Sequence, residues 1–160
     1  MNDMGMGSLE ALAVAQAMRD YPWLAPAVRI VHTIGFAVLV GTIVAFDLRV
    51  LGFSKRIPVR ALSAHLLPWT FAALVAIVPT GLLMFAAHAT DLIDNTAFKV
   101  KMGLLLAAGL NAAIFRTGPY QGVSTWDVNT AAPLGARASV AASIAIWFAI
   151  IACGQLVALR

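Results

Sequence analysis

The sequence predicts an all-α fold, a four-helix transmembrane bundle preceded by a short amphipathic helix at the membrane interface. Three observations carry that prediction. Hydrophobic residues make up 61% of the chain and charged residues 11%, with mean hydropathy +0.88, against about 25% charged in a soluble domain. Such a chain cannot cover itself with polar side chains, so lipid must be part of its solvent. The apolar residues fall in four long runs separated by short stretches rich in Pro, Gly and charge. In the first run no charged residue interrupts the 17 positions between Arg29 and Asp47, near the lower limit for a helical crossing. The length of 160 residues suits one integral membrane domain over 1–160.

The composition also excludes several functions. With Cys153 the only cysteine, no internal disulfide can form, and no Cys/His cluster has zinc spacing. A pI near 9.8 would suit nucleic acid, but the basic residues lie at the ends of apolar runs, where snorkelling and topology explain them. Membrane lipid is therefore the expected partner, and nucleic acid is not. There is no Gly-rich phosphate loop, no Ser/His/Asp order and no metal-spaced carboxylate set, so neither a catalytic residue nor a metal site is predicted.

The interfacial helix is expected over about 8–21, with Ser8 as its cap and Glu10 in its first turn. Asp3 and Glu10 stand where a cleavable signal would carry positive charge. Tyr21-Pro22-Trp23 ends the helix and places two aromatics at headgroup level. The first span is expected over 27–51, closing at Gly52. A basic loop, Lys55-Arg56-Ile57-Pro58-Val59-Arg60, leads into the second span, 61–89, which Pro68 and Pro79 should kink. Pro79 deprives the Val75 carbonyl of its helical donor, and Thr80 is one candidate to replace it.

Residues 91–98 read as a polar turn in which Asp94 or Asn95 caps the third span, 98–116. Lys99 and Lys101 then oppose the helix dipole, so Asp91, Asp94 or lipid phosphate should compensate them. Gly103 and Gly109 would permit close helix contact, and Asn111 puts an amide deep in the span. Arg116 to Ala136 reads as a loop in which Trp126 rests at the interface. The fourth span, 137–159, carries a small-residue face of Ala138, Ser139, Ala142, Ser143 and Ala145, with Trp147 as its bulky aromatic. Four of the six Lys and Arg residues near loops one and three crowd into the first loop, which places those loops in the cytoplasm and the termini in the periplasm.

Imidazoles in a four-helix membrane bundle raise axial ligation of haem b, which needs two rings facing each other at one depth. His65 enters the second span from the side opposite His32, about 25 Å away along the membrane normal. The pair open to haem or quinone binding is therefore His32 with His88. A neutral His32 bonded to a carbonyl or hydroxyl of another helix, and a proton-handling His32, stand beside that reading. Asp47 and Arg49, two residues apart, point to different faces. Each needs its own partner: Arg116 or Arg137 for Asp47, and a backbone carbonyl or lipid phosphate for Arg49. These two, with Lys101 and Asn111, form the structural polar set, Lys101 either snorkelling or neutralising an anionic ligand.

The stretches Tyr21-Pro22-Trp23, Val31-His32-Thr33-Ile34-Gly35 and Asp47-Leu48-Arg49-Val50-Leu51-Gly52 resemble a family of small bacterial inner-membrane proteins catalogued as a domain of unknown function. Leu67-Pro68-Trp69, Thr80-Gly81, Asn95 with Phe98 and Lys101, Leu110-Asn111 and Trp147 are similar to its later landmarks. The resemblance implies a multi-pass inner (plasma) membrane protein with four spans and an amphipathic lead-in, and it implies no activity. Two functional classes follow. One is a redox-associated subunit holding one haem b or a quinone near His32, with a redox partner subunit. The other is a non-catalytic assembly subunit or small-solute carrier, homo-oligomerisation included.

Overall fold

The computed structural model describes residues 13–158, all helices and connections with no strand among them. In chain order the helices are α1 (Ala13–Asp20), α2 (Leu24–Leu51), α3 (Val59–Ala87), α4 (Ala89–Asp94), α5 (Thr96–Thr117) and α6 (Leu134–Ala158), with a 3-10 helix at Pro119–Thr125. Four of them, α2, α3, α5 and α6, are long and apolar enough to cross a membrane. Residues 8–12 of the expected interfacial helix lie outside the described residues, and α1 represents its remainder. Met18 of α1 is buried with Val28 of α2 and Ala87 of α3, so the lead-in docks on one end of the bundle.

Large apolar side chains point outward along every span, among them Ile34, Val75, Leu82, Leu106, Leu110 and Phe148. Water would penalise that distribution and lipid does not. Inside, α2 packs against α3 and α6, and α6 packs against α5, whereas α3 and α5 make no close backbone approach. The spans therefore lie in the order α3, α2, α6, α5. Leu39, Ala73, Ala108, Trp147 and Ile150 fill the centre. Val50, Val59, Phe115, Trp126, Ala136 and Val140 fill the end that holds the first and third loops.

Packing departs from the sequence reading in three places. Gly103 and Gly109 face open space; the close approach falls instead at Gly35, where an added Cβ would lie 3.0 Å from Ile77 Cγ1 and 3.5 Å from the Ala73 carbonyl. On α6 the buried stripe runs Ala136, Val140, Ser143, Trp147, Ile150, and Ala138, Ala142 and Ala145 are exposed. A small residue fits either a tight interface or lipid, so composition alone does not orient that helix. Trp126 is not interfacial but 2% exposed, because the 3-10 helix folds its ring over the end of the bundle.

The helix ends follow local chemistry. Gly52, at φ +116°, closes α2 in a Schellman arrangement, its N–H bonding the Arg49 carbonyl and the Phe53 N–H the Leu48 carbonyl. Gly52→Ala forces a side chain into the left-handed region and against Lys55 Cε at 3.1 Å. It should cost about 1–2 kcal/mol, read as a lower unfolding midpoint in detergent. Asn95 caps α5, its side-chain oxygen accepting from the N–H groups of Ala97 and Phe98. The polar turn before it contains a further helix, α4, entered through His88 at φ −142°. The fourth span starts at Leu134, where Pro133 supplies the carbonyl that Arg137 N–H bonds at 3.0 Å. Proline near a helix start lacks only a donor that would be unpaired anyway, so Pro133 opens this helix although it read as part of a loop.

Candidate functional site

At the loop end, Arg49 projects inward from the last turn of α2 and is 3% exposed. Its Nε donates to the Ile57 carbonyl at 2.5 Å, and its Nη2 donates to the carbonyls of Lys55 at 3.0 Å and Asp127 at 2.9 Å. One guanidinium thus ties the first loop to the third. This is the backbone-carbonyl alternative of the sequence reading, spread over two loops. Asp127 completes the joint: its carbonyl accepts from Val59 N–H, and its carboxylate caps α3 by accepting from Arg60 N–H at 2.8 Å.

Asp47 lies one face away, 4% exposed, with the Ser143 side chain of α6 beside its carboxyl. The expected partners are elsewhere. Arg116 stacks over the Tyr120 ring at 4.5 Å, and Arg137 is exposed. Asp47 Oδ2 and Trp126 Nε1 are buried without a hydrogen bond among the described residues. Asn111 behaves as interhelical glue: its amide donates to the Ser139 carbonyl at 3.0 Å, and the Ser139 hydroxyl donates to its side-chain oxygen at 2.9 Å. This end of the molecule is a joint between loops and helices.

The other end holds the groups with chemistry to spare. His32 is half-buried on α2, and its Nδ1 lies 3.0 Å from Thr80 Oγ1 of α3. The Thr80 hydroxyl donates to the Ala76 carbonyl at 2.6 Å rather than to Val75, so its oxygen is left to accept from Nδ1–H. The Ile77 carbonyl also lies within bonding reach of the ring. With Thr80 accepting at Nδ1–H, the neutral ring carries its lone pair on Nε2. Gly81 makes room for the ring: a Cβ there would stand 3.2 Å from His32 Cε1.

Lys101 of α5 turns inward toward the same place. Its ammonium is within electrostatic reach of His32 and of Cys153, and a Cβ on Gly154 would lie 3.8 Å from Nζ. No hydrogen bond or ion pair engages that ammonium among the described residues, so neither Asp91 nor Asp94 compensates it. Four spans thus converge here: His32 from α2, Thr80 and Gly81 from α3, Lys101 from α5, and Cys153 and Gly154 from α6. The depth is about 8–12 Å below the helix ends at 1.5 Å per residue.

His88 does not join them. It is exposed at the break between α3 and α4, eight residues beyond Thr80, or about 12 Å along the helix. The structure therefore does not bring His32 and His88 to one depth, and His65 is exposed at the far end. The sequence reading singled out His32 and Lys101 separately. It missed their meeting, which depends on how α2, α3, α5 and α6 are rotated. Thr80-Gly81, about two turns before the end of α3, was the available signal for the ring's seat.

No curated protein and no solved structure matches this chain. A family model does, over residues 22–160, which takes in all four spans, the Arg49 joint and the His32 and Lys101 site. The chain accordingly belongs to DUF6644, a family of unknown function.

Proposed function

We propose that this protein is a membrane subunit that binds a quinone between His32 and Lys101 and works beside a redox partner subunit. One observation supports the reading above the rest: the Lys101 ammonium, turned into the bundle beside His32, has no hydrogen bond or ion pair among the described residues. A cation held away from water needs an acceptor oxygen. A quinone carbonyl accepts from the ammonium, and the hydroxyl of the quinol can also donate to Nε2. Thr80 holds the ring in the tautomer that receives such a proton. Entry from lipid would pass between α3 and α5, whose backbones do not approach closely and which meet at this end through Phe85 stacked on Phe98 at 5.6 Å. A bis-imidazole haem at this place lacks its second ring, since His88 lies about 12 Å beyond.

Titration of the detergent-purified protein with decyl-ubiquinone, followed by tryptophan quenching, tests the reading. Saturable binding is expected, about tenfold weaker in Lys101→Met and in His32→Phe, the loss of one hydrogen bond to a charged or buried group. An absorption spectrum separates the alternative cofactor: a Soret band abolished by His32→Ala would replace quinone with haem. Binding unchanged in both variants, or no binding at all, overturns the proposal. In the assembly-subunit reading the same substitutions shift thermal stability and nothing else.

A further inference from the structure

The loop end carries a second feature, independent of the His32 site. A polar groove of about 520 Å³ is lined by Arg60, Arg116, Tyr120, Gln121, Val123 and Ser124. Arg60 sits in the first turn of α3 and Arg116 in the last turns of α5, so two spans whose backbones do not approach closely present their cations at one level. The Arg116 guanidinium is held over the Tyr120 ring, its Cζ 4.5 Å from the centroid, and Gln121 Nε2 donates to the Arg116 carbonyl at 2.9 Å. The nearby carboxylate, Asp127, is engaged by the Arg60 backbone N–H. Neither guanidinium meets a carboxylate among the described residues.

Below the groove the bundle surface changes character. Leu67 and Phe71, exposed, follow Arg60 at intervals that keep them on its face of α3. Ala113, Ala112 and Gly109 precede Arg116 on its face of α5, all exposed, and a Cβ on Gly109 would meet nothing within 4 Å. The result is a paired cation at the helix ends above an apolar furrow with one bulky and one shallow wall.

We propose that this groove binds the phosphate of an anionic phospholipid, with an acyl chain lying in the furrow between α3 and α5. Two guanidiniums in fork geometry match phosphate oxygens. Basic pockets between spans at headgroup depth recognise acidic lipids on the same grounds. Gln121 and Ser124 add donors suited to a glycerol or phosphate oxygen. A soluble anion would use the cations and leave the furrow empty, which is why lipid is the occupant assigned.

Native mass spectrometry of the delipidated protein, titrated with phosphatidylglycerol or with phosphatidylcholine, tests this. Phosphatidylglycerol should be retained preferentially, and retention should fall at least tenfold in the Arg60→Gln, Arg116→Gln double variant. The charge-matched Arg56→Gln, Arg137→Gln double variant, at exposed positions outside the groove, should retain it as wild type does. Circular dichroism establishes that each variant is folded. Equal retention by both double variants, or equal retention of the two lipids, overturns the proposal. Thermal protection by inorganic phosphate equal to that by phosphatidylglycerol also overturns it, since the site would then belong to a soluble anion.

Discussion

Arg49→Ala should unfold in detergent with a loss of at least about 3 kcal/mol, because three hydrogen bonds from one buried charged group to backbone carbonyls are lost together and each is worth about 1.5–3 kcal/mol. The carbonyls are those of Ile57, Lys55 and Asp127, and water reaches the site poorly, Arg49 being 3% exposed. Lysine is a poor substitute. Its ammonium is a point donor on a flexible stem and cannot span two loops as the planar fork does. Arg49→Lys should therefore recover less than half of the loss. The damage should also be local. Hydrogen exchange should rise first at Val59 and Arg60, whose N–H groups are bonded by Asp127, the residue that Arg49 fixes.

Trp147→Ala should cost a similar amount, about 3–5 kcal/mol. Its side chain fills the centre of the bundle among Leu39, Ala73, Ala108 and Ile150, and meets Phe36 edge to face with centroids 6.0 Å apart. Lipid chains do not fill so enclosed a void, and between apolar helices the packing contact is itself the source of attraction. Trp147→Phe preserves an aromatic edge and should cost about 1 kcal/mol. Unfolding of the three proteins in a denaturing detergent series, followed by circular dichroism, ranks them. Equal midpoints for wild type and Trp147→Ala would mean that α6 is held to α2 by something other than this contact.

What could be read from the residues divides along a physical line. The four spans were legible because hydropathy reports the solvent a segment prefers, and a run such as 30–46 admits few other answers. Gly52 as the end of α2 and Asn95 as a cap were legible because the signals are local. Partners were not. Arg49 bonds three carbonyls, and no residue type encodes a backbone oxygen 78 positions away. Asp47 attracted an arginine on charge grounds, but α6 is turned so that Ser143 faces it. The turning of α6 is set by Trp147 and Ile150, while its alanines, equally at home against protein or lipid, mislead. For the candidate site, the identities of His32 and Lys101 were visible and their convergence was not, since it requires four rotations at once.

The order of the spans has a consequence for biosynthesis. The chain forms two helical hairpins, α2 with α3 and α5 with α6, each closed between neighbours in sequence, and joins them chiefly along the seam of α2 against α6. The first hairpin can therefore assemble while the ribosome is still making the second. Leu39 and Phe36 face lipid in the interval, until Trp147 arrives with the last span to cover them. The seam sets the late step of maturation, and the Arg49 guanidinium, reaching from the first hairpin to the Asp127 carbonyl just ahead of the last helix, serves as its latch.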